Sequence, residues 1–105
     1  MNLTKEQKEI FDKEGYLFFP SLFSQKEVQY LSSAVPELYE IREEYNFREK
    51  GSDVVRTNVA AHLYSAPFGK LARHPRMIQP VEDILQEQLY MHQFKINGKM
   101  AFEGD

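Results

Sequence analysis

The sequence predicts a small α+β domain, and three features carry that prediction. Two capping boxes open apolar stripes of helical period, an aromatic run closed by proline reads as a buried strand, and the chain then switches to a period of two near its end. Thr4 with Gln7 is the first capping box, in which a hydroxyl and an amide satisfy free backbone N–H groups at a helix start. The spacing predicts a helix from about Lys5 to Glu14, with Leu3, Ile10 and Phe11 near one face and Gly15 ending it in the left-handed conformation. Tyr16 to Phe19 reads as a short buried strand stopped by Pro20.

Ser24 with Glu27 repeats the capping box and opens a second helix. Val28, Leu31, Val35 and Leu38 recur every three or four residues along it and predict a core stripe, each side chain worth roughly 1.5–3 kcal/mol on burial. Pro36 is expected to kink or restart this helix, because it lacks a donor and clashes with the preceding turn. From Glu37 to Arg56 charges of both signs are dense, which fits a solvated helix face leading into a loop at Gly51 and Ser52, or a recognition surface for a partner. Val54 and Val55 lead into a predicted strand near Arg56 to Ala60. Ser65 and Pro67 mark the start of a short helix through Leu71. His74-Pro75 breaks it, and Pro80 is expected to start another helix carrying Val81, Ile84 and Leu85, preceded by Met77 and Ile78.

Composition excludes several classes of function. The chain has 105 residues, 42% hydrophobic and 28% charged, which suits one small domain or a portion of one. It has no cysteine, so disulfides, thiolate nucleophiles and cysteine zinc sites are excluded and a cytoplasmic setting is expected. Thirteen Lys and Arg against 16 Asp and Glu make nucleic acid an unlikely partner. No stretch has signal-peptide character or the roughly 20 apolar residues of a membrane span.

Conventional catalytic motifs do not occur. There is no phosphate loop, GxSxG elbow or basic aromatic stripe, and His62, His74 and His92 have no metal-site spacing. A non-haem iron(II) site needs two histidines and a carboxylate, and no HxD, HxE, HExxH or HxH is present. Each histidine is therefore given a structural role, His74 as a loop or cap residue and His92 in or beside the sheet. No catalytic or metal-ligating residue is assigned.

Leu89 to Ile96, LYMHQFKI, reads as a strand. Alternation puts Met91, Gln93, Lys95 and Asn97 on one face and Tyr90, His92, Phe94 and Ile96 on the other. Two amides and an ammonium in a row can donate hydrogen bonds to the carboxylates of a small ligand. The same row also suits the solvent face of a half-buried strand, with Asn97-Gly98 turning into a hairpin before Lys99 to Phe102.

The segments GYLFFPSLFSQKEV, VVRTNVAAH, LARHPRMIQPVEDIL and YMHQFKINGKMAFEGD, in that order, resemble the amino-terminal portion of the ectoine hydroxylases, within the phytanoyl-CoA dioxygenase superfamily. The resemblance implies a dioxygenase dependent on iron(II) and 2-oxoglutarate, built on a double-stranded β-helix (jelly-roll, cupin-like), of which residues 1–105 would form the amino-terminal helices and first strands, an incomplete domain. It implies a small-molecule substrate, ectoine or similar, converted in that case to 5-hydroxyectoine, and a full-length protein that could be a homodimer. Residue by residue, Gln93 matches the family glutamine that contacts substrate, and Asn97 matches the asparagine that hydrogen-bonds 2-oxoglutarate. The family's HxD motif follows the stretch resembling AFEGD, and its second iron histidine and 2-oxoglutarate-binding arginine come later still. The 105 residues alone are therefore expected to be inactive and to bind neither cofactor tightly. Gly98 departs from the alanine common in relatives. Two alternatives remain: a superfamily member acting on another small metabolite, and a non-catalytic α+β interaction module using Glu37 to Arg56 as its partner surface.

Overall fold

In a computed structural model, residues 2–99 are described as five helices and a three-stranded antiparallel sheet. Helix α1 (Lys5–Glu14) starts at the predicted capping box, with Thr4 Oγ1 accepting from the Gln7 N–H and Gln7 Oε1 accepting from the Thr4 N–H. It ends at Gly15, whose φ of 82° is the left-handed conformation that glycine adopts without steric cost. Its apolar face is shallow, for no residue of α1 is fully buried and Ile10 is exposed. Polar ties compensate: the Leu3 N–H donates to Asp83 Oδ2 at 2.8 Å and Lys8 Nζ lies 3.3 Å from Asp83 Oδ1. The Leu3 bond is the main reason the Asp83 carboxyl sits below its usual pKa.

Tyr16 to Phe19 does not form the expected buried strand. The segment is irregular and among the described residues has no ladder partner, and Tyr16 and Phe18 are 66% and 79% exposed. Aromatic content favours a pleated surface only where another strand supplies hydrogen bonds. Helix α2 (Gln25–Tyr39) opens at the second predicted capping box and continues through Pro36 to Tyr39 rather than restarting. Of its stripe, Leu38 is buried, Leu31 and Val35 pack against the core, and Val28 is exposed.

Strand β1 (Asn46–Arg48) falls inside the charged region read as helix face and loop, and pairs antiparallel with β2 (Val55–Val59) across a turn at 50–52. The strand near Arg56 is thus present, one residue earlier than expected. Helix α3 (Ala61–Tyr64) was not legible, and α4 (Ala66–Ala72) follows Ser65 with Pro67 in its first turn, as expected. Helix α5 (Pro75–Leu85) starts at Pro75 and not at Pro80, because His74 caps it: its Nδ1 accepts from the Arg76 N–H at 3.1 Å. Pro80 lies buried inside α5, and Met77 and Ile78 belong to the helix.

The strand expected over Leu89 to Ile96 shrinks to β3 (Lys95–Asn97), which pairs antiparallel with β2. Residues 89–94 are not part of a strand, although the Phe94 carbonyl accepts from the Ala60 N–H, and His92 is exposed, its ring meeting Tyr90 edge-on at 6.4 Å. The hairpin partner expected at Lys99 to Phe102 lies largely outside the described residues, as does AFEGD. Leu38, Ala61 and Phe68 form the core, with Phe94 and Ile96 packed on it from the sheet side.

The radius of gyration is 16.4 Å and the extents are 49 × 28 × 27 Å. A compact domain of this size has a radius near 13 Å. The accessible surface of 8146 Å² exceeds the roughly 6,100 Å² expected of a compact monomer of this mass. Three large side chains illustrate the excess: Phe18, Leu63 and Tyr90 are all more than three-quarters exposed.

Candidate functional site

The site begins with how the sheet is seated on α2. That helix has no glycine cap; the Glu40 and Ile41 N–H groups reach the Pro36, Glu37 and Leu38 carbonyls, and its final turn takes further donors. Two β1 side chains supply them. Asn46 Nδ2 donates to the Leu38 and Ile41 carbonyls, both at 2.8 Å, and Arg48 donates to the carbonyls of Tyr39, Ile41 and Asp53. Asn58, directly opposite Asn46 and fully buried, donates to Asn46 Oδ1 at 2.6 Å. The Tyr64 hydroxyl lies 3.1 Å from Asn58 Oδ1 and 3.0 Å from the Val59 carbonyl, and burial pushes its pKa up, so it stays a donor. One charge from the Glu37 to Arg56 region, that of Arg48, is thus spent on backbone carbonyls of the fold, whereas Arg42 pairs with Asp53 on the surface.

With Asn46, Asn58 and Ile96 turned toward α2, the opposite face of the sheet carries the cross-strand row Phe47, Thr57 and Asn97, next to the pair Val59 and Lys95. Asn97 and Lys95 are both exposed. The Thr57 hydroxyl donates to Asn97 Oδ1 at 3.1 Å. Beyond Asn97, the Gly98 N–H donates to the Arg56 carbonyl at 2.9 Å, and a Cβ at Gly98 would stand 2.9 Å from the Tyr39 hydroxyl and 3.1 Å from the Val55 carbonyl. Only a residue without a side chain fits there undisturbed, which pins the strand end.

Gln93 sits apart from this row. It lines a groove of about 790 Å³ together with Lys95, Phe94, His62, Arg73 and apolar side chains of α5, and Asn97 is not part of that lining. The alternation read from the sequence holds only from Gln93 to Asn97, where Phe94 and Ile96 are half-buried between exposed Gln93, Lys95 and Asn97; Tyr90 and His92, expected on the opposite face from Met91 and Gln93, are exposed like them because residues 89–94 are not held in a paired strand. His62 stacks on Phe94 with ring centroids 5.1 Å apart, and its Nδ1 is buried without a hydrogen-bond partner among the described residues. Among the described residues no group of three or more His, Cys, Asp or Glu side chains converges as a metal site. Thr57 was not legible as a site residue, since its link to Asn97 crosses 40 positions of sequence.

No protein-family model matches the chain. Over 97% of its length it is 32% identical to the ectoine dioxygenase of Bordetella bronchiseptica, of which it covers 34%. It is 28% identical to the L-proline trans-4-hydroxylase of Streptomyces griseoviridis over 90% of the chain and 35% of that protein. Among solved structures it resembles EctD from S. alaskensis with bound Fe, with a TM-score of 0.83 and 25% identity over 90% of this chain and 35% of that one. The same protein with 2-oxoglutarate and 5-hydroxyectoine gives a TM-score of 0.82. The chain thus spans about a third of the length of the relatives it matches, and the ectoine dioxygenases among them are the proteins its sequence segments resemble.

Proposed function

We propose that residues 1–105 are the amino-terminal third of a cytoplasmic iron(II)- and 2-oxoglutarate-dependent dioxygenase of the ectoine hydroxylase kind. In this reading Gln93 orients the substrate and Asn97 the cosubstrate. The assignment rests on the likeness in fold, at a TM-score of 0.83 over 90% of the chain, to EctD with bound Fe. The open sheet face becomes the inner face of a double-stranded β-helix, and α2, α4 and α5 buttress its first strands from outside. The exposed Phe47 ring on that open face supports this, because a second layer of sheet would cover it.

The two cofactors fit these residues differently. Asn97 Nδ2 carries two donors on an exposed face while its oxygen is engaged by Thr57, which suits a carboxylate of 2-oxoglutarate. Iron does not fit the described residues, which offer no converging set of ligands, so no step is assigned to them through the metal. In the complete enzyme the metal and cosubstrate would supply the oxidising chemistry, and this chain would supply binding and orientation.

The test has two arms. The purified 105-residue chain with iron(II), 2-oxoglutarate and ectoine should release no succinate, and iron- and ectoine-dependent succinate would overturn its assignment as an inactive portion. A longer protein containing this chain should hydroxylate ectoine. Turnover of proline without turnover of ectoine would favour the reading in which the substrate is another small metabolite, which the proline hydroxylase relative supports.

A further inference from the structure

We propose that Thr57 is a positioning residue that sets the orientation of the Asn97 amide. The inference rests on the reading of Asn97 as a cosubstrate contact and extends it to a residue forty positions away. A terminal amide can rotate its oxygen and nitrogen into each other's place at little cost, so a lone asparagine on an exposed strand presents either a donor or an acceptor to a ligand. Here the Thr57 hydroxyl donates to Oδ1 at 3.1 Å and removes that ambiguity. With the oxygen engaged, Nδ2 is left to donate.

The backbone leaves the amide little other freedom. Thr57 and Asn97 are directly opposed in the β2–β3 pair, the Gly98 N–H is bonded to the Arg56 carbonyl on one side, and the Ala60 N–H is bonded to the Phe94 carbonyl at 2.8 Å on the other. Lys95 lies on the same face, so the local charge favours an anionic ligand group. The ligand chemistry that suits this arrangement is a carboxylate.

The test uses the longer protein that contains this chain, with ¹⁵N-labelled asparagine, and the Asn97 side-chain signals are identified by their loss in Asn97→Ser. In the wild type and Thr57→Ser, the side-chain amide of Asn97 should show a high heteronuclear NOE, and titration with 2-oxoglutarate should shift it. In Thr57→Val, which keeps shape and removes the hydroxyl, the NOE should fall and 2-oxoglutarate should bind about three- to tenfold more weakly, with backbone signals away from residue 57 unchanged. Equal order of the amide, or equal affinity, in Thr57→Val and wild type would overturn the positioning role. Wild-type spectra indifferent to 2-oxoglutarate would instead overturn the cosubstrate reading of Asn97, and the NOE comparison would still decide whether Thr57 holds the amide.

Discussion

Replacing Asn46 by alanine tests how the sheet is held to α2. The substitution removes two hydrogen bonds of 2.8 Å to the Leu38 and Ile41 carbonyls and deprives the fully buried Asn58 Nδ2 of its acceptor at 2.6 Å. Each lost bond costs about 0.5–1.5 kcal/mol net, and a stranded buried donor costs about 1–3 kcal/mol. The sum is roughly 2–6 kcal/mol, against a total of about 5–15 kcal/mol for an ordinary domain. Urea unfolding followed by far-ultraviolet circular dichroism is the suitable assay, since the chain has no tryptophan. Asn46→Ala should lower the midpoint by at least about an eighth, the smallest loss set against the largest total, or leave the chain unfolded in buffer. The double variant Asn46→Ala with Asn58→Leu, which removes the stranded donor, should recover part of the loss. A change below about 1 kcal/mol in the single variant, or no coupling in the cycle, would refute the network as the clasp between helix and sheet.

Three further outcomes follow from the same geometry. Gly98→Ala should destabilise the chain by about 1–3 kcal/mol through overpacking, and Tyr39→Phe, which removes the oxygen 2.9 Å from the new Cβ, should relieve part of it in thermal melts. The Arg76 guanidinium, and next the Ser24 N–H, lower the Glu27 carboxyl from 4.5 to about 2. The stability from that pair is therefore complete above about pH 4.5 and drains as the pH falls toward 2, so Glu27→Gln should be less stable at pH 7 and lose less across that window in melts at stepped pH. Finally, with Phe18, Leu63 and Tyr90 exposed, the purified chain should self-associate, and sedimentation velocity should show mass rising with concentration rather than a single monomer boundary.

What the sequence determined by itself is local. Both capping boxes, the glycine stop after α1 and the proline in the first turn of α4 are each decided by the chemistry of a few neighbouring residues, and all stand where the pattern puts them. The alternation of Gln93, Lys95 and Asn97 was legible for the same reason, since a period of two in an extended chain is a backbone property. Tertiary structure decided where extended segments become strands. Tyr16 to Phe19 and Leu89 to Phe94 have strand composition without a ladder, whereas the charged Asn46–Arg48 is a strand because its side chains cap α2 and its backbone meets β2. Tertiary structure also brought Thr57 to Asn97, and placed Gln93 in a groove while Asn97 lay on the sheet. A hydrogen bond across 40 residues has no signature in sequence spacing, because it depends on register, and register is settled only when β2 and β3 pair over a buried Asn58.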